Sequence, residues 1–258
     1  MVDLTWQGSF PAVDEAPHRW RSGPRITLDA QRFAQVGTWE GELRVDGTTH
    51  TVSHDRWVGT RDRSWGIRPV GEPEPPGRGA DEPIEGFWWN YVPLRFGGFA
   101  LVVIVQEEPD GHRVLSDAVR VWPSEAQRRP EQLGWPRIDV QYRSGTRHPD
   151  GATLHLTQPD GTPLVVEIET LGSVALNAGT GYGGDQGWAH GTWKGRDWVE
   201  GVDIDLTDPA VDAMIPFGLS DHVARATLGG AEGWGLYELG TFGRHDPSGF
   251  TDWASVAP

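Results

Sequence analysis

Apolar and polar residues alternate with a period of two along much of this chain, and no other feature constrains its fold as strongly. Residues 39–45 alternate apolar residues or glycine with charged ones, and Asp46-Gly47 follows as a turn signal before the chain returns. Residues 152–157 and 164–169 alternate in the same way on either side of a Pro-Asp-Gly turn. Successive side chains of a strand point to opposite faces. The pattern therefore predicts antiparallel hairpins.

One strand is predicted to be buried on both faces. Residues 99–105 form a continuous apolar run that is too short for a core helix and rich in β-branched side chains. Helix signals are scarce, because 35 glycines and 20 prolines interrupt the chain. The best helix candidate covers residues 208–214, where Thr207 or Asp208 can cap and Pro209 suits the first turn. The chain is therefore predicted to be all-β, with about fourteen strands.

An internal similarity predicts two related halves. Residues 37–47 (GTWEGELRVDG) and residues 191–201 (GTWKGRDWVEG) share six of eleven positions. A duplicated β-unit would give two β-barrels or sandwiches of one design. The irregular connector at 124–136 places the predicted boundary there, with one domain over residues 1–123 and a second over residues 124–258. Ligand pockets are common at domain interfaces and barrel mouths.

The composition excludes several functional classes. The 258 residues carry 22 Lys and Arg against 37 Asp and Glu, a formal charge of −15, which argues against nucleic acid or anionic lipid as a partner. The absence of cysteine excludes disulfides, thiolate catalysis and Cys-ligated zinc. No apolar run is long enough to insert in a membrane, and no secretory signal pattern is visible, so a cytoplasmic location is expected. The oligomeric state stays open.

The densest group of polar and aromatic residues lies within residues 57–69. If this segment is extended, Arg63 and Trp65 face one way and Asp62 faces the other. Asp62 and an arginine then form either a structural ion pair or a polar cluster at the floor of an apolar pocket. Arg63 and Arg68 would in the second case neutralise a carboxylate of the ligand.

The next predicted strand, residues 85–93, is rich in aromatic side chains. Glu85 is its only carboxylate. Alternation places three aromatic residues on one face and Trp88 with Asn90 on the other; the three are Phe87, Trp89 and Tyr91. Such residues belong either to the core or to a binding surface. Asn90 can distinguish these two cases, because a buried carboxamide either hydrogen-bonds to other protein groups or binds a ligand.

The other motifs do not favour a metal or nucleotide site. Nine histidines are present, and none forms the helical i, i+4 pair of a zinc protease. Neither a Gly-x-Ser-x-Gly elbow nor a phosphate-binding loop is found. His190, next to the second copy of the repeat, is either a hydrogen-bonded structural residue or a ligand contact. We therefore expect no metal and no cofactor.

The segment Asp62-Arg63-Ser64-Trp65-Gly66 resembles the Asp-His-x-Trp-Gly motif of the AttH and hydroxyneurosporene synthase (carotenoid 1,2-hydratase) superfamily. In that family a tryptophan-bearing strand follows, a position that Trp88-Trp89 fill here. The resemblance implies two packed lipocalin-like antiparallel β-barrels. It also implies relatives that hydrate isoprenoid double bonds or catalyse Diels–Alder-type cyclisation. Two departures matter: Arg63 replaces the family's histidine, and Asn90 and Tyr91 stand where the hydratases have an acidic proton donor.

These observations lead to one functional hypothesis and two alternatives. The first is a cofactor-independent enzyme that hydrates or cyclises C=C bonds of a hydrophobic isoprenoid- or polyketide-like molecule by acid and cation–π catalysis. Its expected catalytic residues are Asp62, Glu85 and Tyr91, and its expected ligand-binding residues are Arg63, Trp65, Arg68, Trp88, Asn90 and His190. The second is a non-catalytic carrier of a lipophilic ligand. The third is a carbohydrate-binding or glycoside-active protein, which requires two carboxylates roughly 5–10 Å apart.

Overall fold

The computed structural model of the chain describes residues 1–67, 77, 83–182 and 192–258. The first sheet is built around one long strand, β4, which pairs with five others. Strands β1, β2 and β3 lie along one edge of β4, and β5 and β6 lie along the other. Their bounds are Val2–Gly8 (β1), Val13–Asp14 (β2), His18–Ser22 (β3), Arg25–Val45 (β4), Thr48–Val52 (β5) and Val58–Ile67 (β6).

The remaining nine strands form a nearly closed antiparallel barrel, in the order β10-β9-β8-β7-β15-β14-β13-β12-β11. Strands β9 and β11 are in contact across the gap. The bounds are Gly86–Arg95 (β7), Ala100–Glu107 (β8), Arg113–Val121 (β9), Glu131–Gln132 (β10), Gly134–Tyr142 (β11), Pro149–Thr157 (β12), Pro163–Ala175 (β13), Ser220–Leu228 (β14) and Ala231–Gly243 (β15).

Helical structure in the described residues is limited to short pieces. One α-helix, α1, covers Pro209–Asp212, and 3-10 turns cover Ser124–Ala126, Ile215–Phe217 and Asp246–Ser248. No helix in the described ranges has the length and apolar character needed to cross a bilayer. The Asp208 side chain accepts a hydrogen bond from the Ala210 amide, as the capping pattern predicted.

The local predictions of strands and turns are confirmed. The hairpin of β4 and β5 turns at Asp46-Gly47, where both residues have positive φ (47° and 80°), the backbone of a tight two-residue hairpin turn. Every residue of β8 is buried, and β7 and β9 flank it. Strands β12 and β13 pair across the Pro-Asp-Gly turn. The all-β class is therefore correct.

The internal repeat does not predict equivalent structure. The first copy lies in β4 and its hairpin turn, whereas the described part of the second copy, residues 192–201, contains no strand. Trp193 is 76% exposed there, so its ring contributes little to a core. The predicted boundary after residue 123 lies on the connection between β9 and β10, within the barrel sheet. The chain passes from the first sheet to the barrel sheet between β6 and β7.

Two apolar layers hold this arrangement together. One fills the barrel, and its largest buried members include Leu94, Leu101, Leu154, Tyr237 and Leu239. The other lies between the barrel wall and the first sheet, where β4 contacts β7, β6 contacts β15 and β3 contacts β9. That second layer contains Ala34, Trp89, Tyr91, Val102, Ile104, Leu115 and Leu219. The wall formed by β7, β8 and β15 is thus apolar on both sides.

A pair of buried histidines interrupts the apolar interior of the barrel. The rings of His148 and His222 lie edge to face with centroids 5.6 Å apart. His148 bonds the Ile215 carbonyl and the Ser220 hydroxyl, and His222 bonds the Tyr237 carbonyl. Burial lowers the pKa of both rings, that of His222 to about 4. Both imidazoles are therefore neutral near pH 7.

We expect His222 to make the fold acid-sensitive. The unfolded chain protonates this residue below its ordinary pKa of 6.5, whereas the folded chain does so only near 4, so stability is lost as the pH falls through that window. The full shift corresponds to about 3 kcal/mol. Urea unfolding of the wild type and of His222→Gln at about pH 7 and about pH 5 measures the difference. The variant should lose less stability on acidification.

His112→Gln is the matched control, because His112 is exposed. This variant should keep the full pH dependence of the wild type. An equal loss of stability on acidification in His222→Gln and in the wild type would contradict the assignment.

Candidate functional site

A row of side chains across the barrel wall faces the first sheet. Directly opposed residues of an antiparallel pair project to the same face. Five strands contribute to the row in register: Asp221 (β14), Glu238 (β15), Tyr91 (β7), Ile104 (β8) and Asp117 (β9). The row places three carboxyl groups and a phenol on a wall that is otherwise mostly apolar.

Asp221 and Glu238 form a pair of neighbouring carboxyl groups. The two residues are directly opposed in register on β14 and β15, so their side chains project to the same face. Burial raises the pKa of both, and the Asp221 charge raises that of Glu238 further. Both residues keep part of their surface accessible. Glu238 is thus a carboxylic acid that holds its proton near neutrality.

Trp89 holds the Glu238 carboxyl in place. The indole Nε1 donates to Glu238 Oε1 at 2.5 Å. The ring of Trp89 stacks on His18, with centroids 5.6 Å apart, and the guanidinium of Arg32 lies 5.0 Å from its centre. Arg32 also lies 5.6 Å from the ring centre of Tyr91. The acid therefore sits against aromatic faces that already accommodate a cation.

The first sheet adds a second acid of unusual pKa. The Glu15 side chain is 1% exposed, and its Oε2 accepts from Arg32 Nε at 2.9 Å. Burial raises the pKa of Glu15 to about 7, although Arg32 acts in the opposite direction. We call the following six residues the interface cluster: Glu15, Arg32, Trp89, Tyr91, Asp221 and Glu238.

Several buried polar atoms in and next to the interface cluster have no hydrogen-bond partner among the described residues. They are Glu15 Oε1, Tyr91 Oη, Gln106 Oε1 and Asp221 Oδ1. Gln106 lies opposite Trp89 in register and so on the same face. Burial and the nearby carboxylates raise the pKa of Tyr91, which keeps its hydroxyl proton. Since buried polar atoms are nearly always paired, these atoms favour a bound molecule or water between the sheets.

The two carboxylates expected from the sequence lie outside the row. Asp62, on β6, faces the barrel, but its side chain is 51% exposed and lies 3.7 Å from Arg32 Nη2. Glu85 directly precedes β7; its side chain is 69% exposed and pairs with Arg244 at 3.0 Å. Neither has the apolar surroundings that the acid hypothesis requires. Their catalytic role stays a prediction.

Strand β7 divides the residues predicted on it between its two faces, as the alternation indicated. Tyr91 belongs to the interface cluster. Trp88 and Asn90 point into the barrel, where Trp88 donates to the Tyr142 hydroxyl at 3.0 Å and stacks on His245. Asn90 is fully buried and donates to the Trp89 carbonyl at 3.3 Å. The structure therefore does not bring these three residues together.

The remaining predicted residues are on the far side of the first sheet or outside the described ranges. Arg63 and Trp65 project from β6 away from the barrel, and Trp65 is 47% exposed beside Phe33. Arg68 and His190 lie outside the described residues. Within the described ranges, no three His, Asp or Glu side chains are placed to hold a metal ion.

Trp65→Ala is expected to cost only about 1–2 kcal/mol, because roughly half of the ring is already in water. A fully buried aromatic residue would cost about 3–5 kcal/mol. The free energy of unfolding in urea measures this difference. A loss in the core range would show that the ring is buried in solution.

Glu238, Asp221, Glu15 and Arg32 are not among the residues predicted from the sequence. One signal for Glu238 was available: among residues 236, 238, 240 and 242, which share a face of β15, the glutamate is the only charged residue. For the other three residues no local pattern exists. They reach the site through strand register or through packing of the first sheet on the barrel.

Comparison with solved structures gives matches of low identity. They include kievitone hydratase from Nectria haematococca (15% identity, TM-score 0.42, covering 82% of this chain and 52% of that one). A protein described as AttH from Nitrosomonas europaea matches at 14% identity and TM-score 0.49, covering 92% and 60%. CghA with Sch210972 matches at 13% identity and TM-score 0.40, covering 81% and 54%. The chain thus spans between about half and three fifths of their lengths.

One of these matches is described as AttH, the group whose motif the segment Asp62–Gly66 resembles. At this identity and with TM-scores below 0.5, the matches carry no information on activity. No curated protein matches the sequence. One family profile does match, over residues 1–251. The chain belongs to DUF8625, a family of unknown function.

Proposed function

We propose that the protein is a cofactor-independent acid catalyst that adds water to, or cyclises across, C=C bonds of a hydrophobic small molecule bound between the first sheet and the barrel. One observation carries the proposal: the carboxyl groups of Glu238 and Asp221 are directly opposed in register on a largely apolar wall, with Glu238 held by the Trp89 indole. A protonated carboxyl with a raised pKa, held in low-dielectric surroundings, is suited to protonate an alkene.

The interface cluster supports each step of such a reaction. The Glu238 O–H bond breaks as its proton forms a C–H bond with the alkene π electrons, which leaves a carbocation on the adjacent carbon. The aromatic faces of Trp89 and Tyr91 and the new carboxylate stabilise that cation. Water then adds, or a second double bond attacks in a cyclisation. The proton released in either case returns to the carboxylate pair.

Two alternatives make different demands on the geometry. A glycosidase needs its two carboxylates roughly 5–10 Å apart in a cleft that admits a sugar, whereas Asp221 and Glu238 are directly opposed in register on a largely apolar wall. A carrier of lipophilic ligands needs no acid with a raised pKa. The carboxyl pair therefore favours the acid catalyst over both.

The test is turnover of an isoprenoid and polyene panel in D2O, followed by mass spectrometry. The proposal expects products that contain one deuterium on carbon, with or without an added hydroxyl. Organic extraction of the purified protein supplies a further substrate candidate. If an extracted lipophilic molecule is stoichiometric but is returned unchanged from D2O, the protein is a carrier and the proposal fails.

A further inference from the structure

We propose that the molecule bound at the interface cluster carries a cationic nitrogen, such as a protonated amine, on its hydrophobic body. This inference rests on the proposed function only in placing a ligand between the first sheet and the barrel. It names the class of that ligand, which neither the family nor the fold specifies.

Acidic side chains outnumber basic ones at the interface cluster. Arg32 is in ion-pair contact with Glu15 at 2.9 Å and with Asp62 at 3.7 Å, so one positive charge serves two carboxyl groups. Asp221 and Glu238 add two more acids on the same side of the barrel wall. A cationic ligand would complement this surplus of acid, whereas a carboxylate ligand would be repelled by it.

Most of the buried atoms without a partner at this site are acceptors. Glu15 Oε1, Gln106 Oε1 and Asp221 Oδ1 have no donor among the described residues, and the Tyr91 hydroxyl, also unpartnered, can accept as well as donate. Gln106 is 2% exposed and the Glu15 side chain 1%, so bulk water does not satisfy them. An ammonium group offers three donors and no acceptor. Its hydrogen-bonding capacity therefore matches what this site lacks.

An apolar surface of aromatic rings lies next to the acidic residues of the interface cluster. Phe87 stacks on Phe242 with centroids 4.5 Å apart, and Trp20 lies edge to face with Phe87 at 5.5 Å. Phe87 is two residues from Trp89 on the same face of β7. A ligand whose nitrogen lies near Glu238 can extend its hydrocarbon portion over these rings.

The experiment compares three ligands of one shape by titration calorimetry: geranylamine, geraniol and geranic acid. We expect the amine to bind at least 10-fold more tightly than the alcohol, and the acid to bind most weakly. Cation binding favours the ionised form of Glu15, so the amine should release up to one proton per molecule near neutral pH. Titrations in two buffers of different ionisation enthalpy measure that proton. The amine affinity should rise with pH through about 7 and then level off.

One variant and one control locate the effect. Glu15→Gln should reduce both the advantage of the amine over the alcohol and the proton release. Glu42→Gln removes one acid from an exposed position of β4 and should change neither. This control separates specific binding from general attraction to a chain of formal charge −15.

Equal affinity of amine and alcohol, tightest binding of the acid, or no binding of the amine would each overturn the inference. These failures are distinct from failure of the proposed function. If neutral alkenes are turned over in D2O but the amine is not preferred, the proposed acid catalysis is supported and the inference of a cationic ligand is wrong. If the amine is preferred but no alkene is turned over, the site binds cationic ligands and the proposed acid catalysis is wrong.

Discussion

Glu238→Gln is expected to lower turnover of any alkene substrate about 100- to 10,000-fold, the range for loss of a general acid. The amide keeps the volume of the side chain, and its oxygen can still accept from Trp89 Nε1, which donates to Glu238 Oε1 in the wild type. It has no carboxyl proton to give. Binding of a neutral substrate and the melting temperature should therefore change little, while the rate of deuterium incorporation from D2O collapses.

The pH profile supplies an independent readout. Only the protonated form of Glu238 can act, and burial together with Asp221 raises its pKa. Wild-type turnover should therefore persist at neutral pH and fall as the pH rises through that raised value. A residue with a merely structural role would not impose this alkaline limb.

Asp62→Asn is the comparison that separates the two candidate acids. Its side chain is half exposed beside Arg32, so we expect turnover within a few-fold of the wild type. If Asp62→Asn abolishes turnover and Glu238→Gln does not, then Asp62 is the catalytic acid, as predicted from the sequence, and Glu238 is not.

Arg147→Met should produce the largest loss of stability, about 3–5 kcal/mol, the range for breaking a buried charged network. Arg147 is 4% exposed, and its guanidinium donates to the carbonyls of Thr241, Gly243, Asp252 and Ser255. It thereby joins the end of β15 to the C-terminal segment. Methionine fills part of the volume but leaves the buried carbonyls of Thr241 and Gly243 without these donors. Urea unfolding measures the loss.

Arg143→Met is the matched control. Arg143 is 56% exposed and pairs with the exposed Asp150 at 2.7 Å, an interaction worth at most about 1 kcal/mol. Limited proteolysis adds a local readout, since the C-terminal segment of Arg147→Met should be cut faster. Equal stability of the two variants would show that the Arg147 hydrogen bonds are replaced by water at little cost.

The strand assignments followed from the sequence because alternation and turn chemistry are local. The pairing of β4 with β5 needed only period-two side chains and the positive φ of Asp46 and Gly47. The division of β7 into a Tyr91 face and an Asn90 face followed from the same rule. The repeat was misleading, because similarity in a chain rich in glycine and tryptophan does not require a second strand at residues 192–201.

The candidate site could not be derived in this way. The hypothesis required a carboxylic acid held in apolar surroundings, and such a group is present, but its residues are 17 positions apart in sequence, at Asp221 and Glu238. Their neighbours Glu15 and Arg32 come from the other sheet. A raised pKa depends on how much water each carboxyl loses when the sheets pack. No local pattern contains that information.

The sequence by itself thus determined the all-β class, the hairpins, the buried strand and the face of each side chain within its strand. These properties depend on residues that are close along the chain. Only the tertiary structure decided which strands share the barrel, which side chains align across β14, β15 and β7, and which acids become buried. Those properties depend on register and on the packing of two sheets, where residues distant in sequence exclude water from one another.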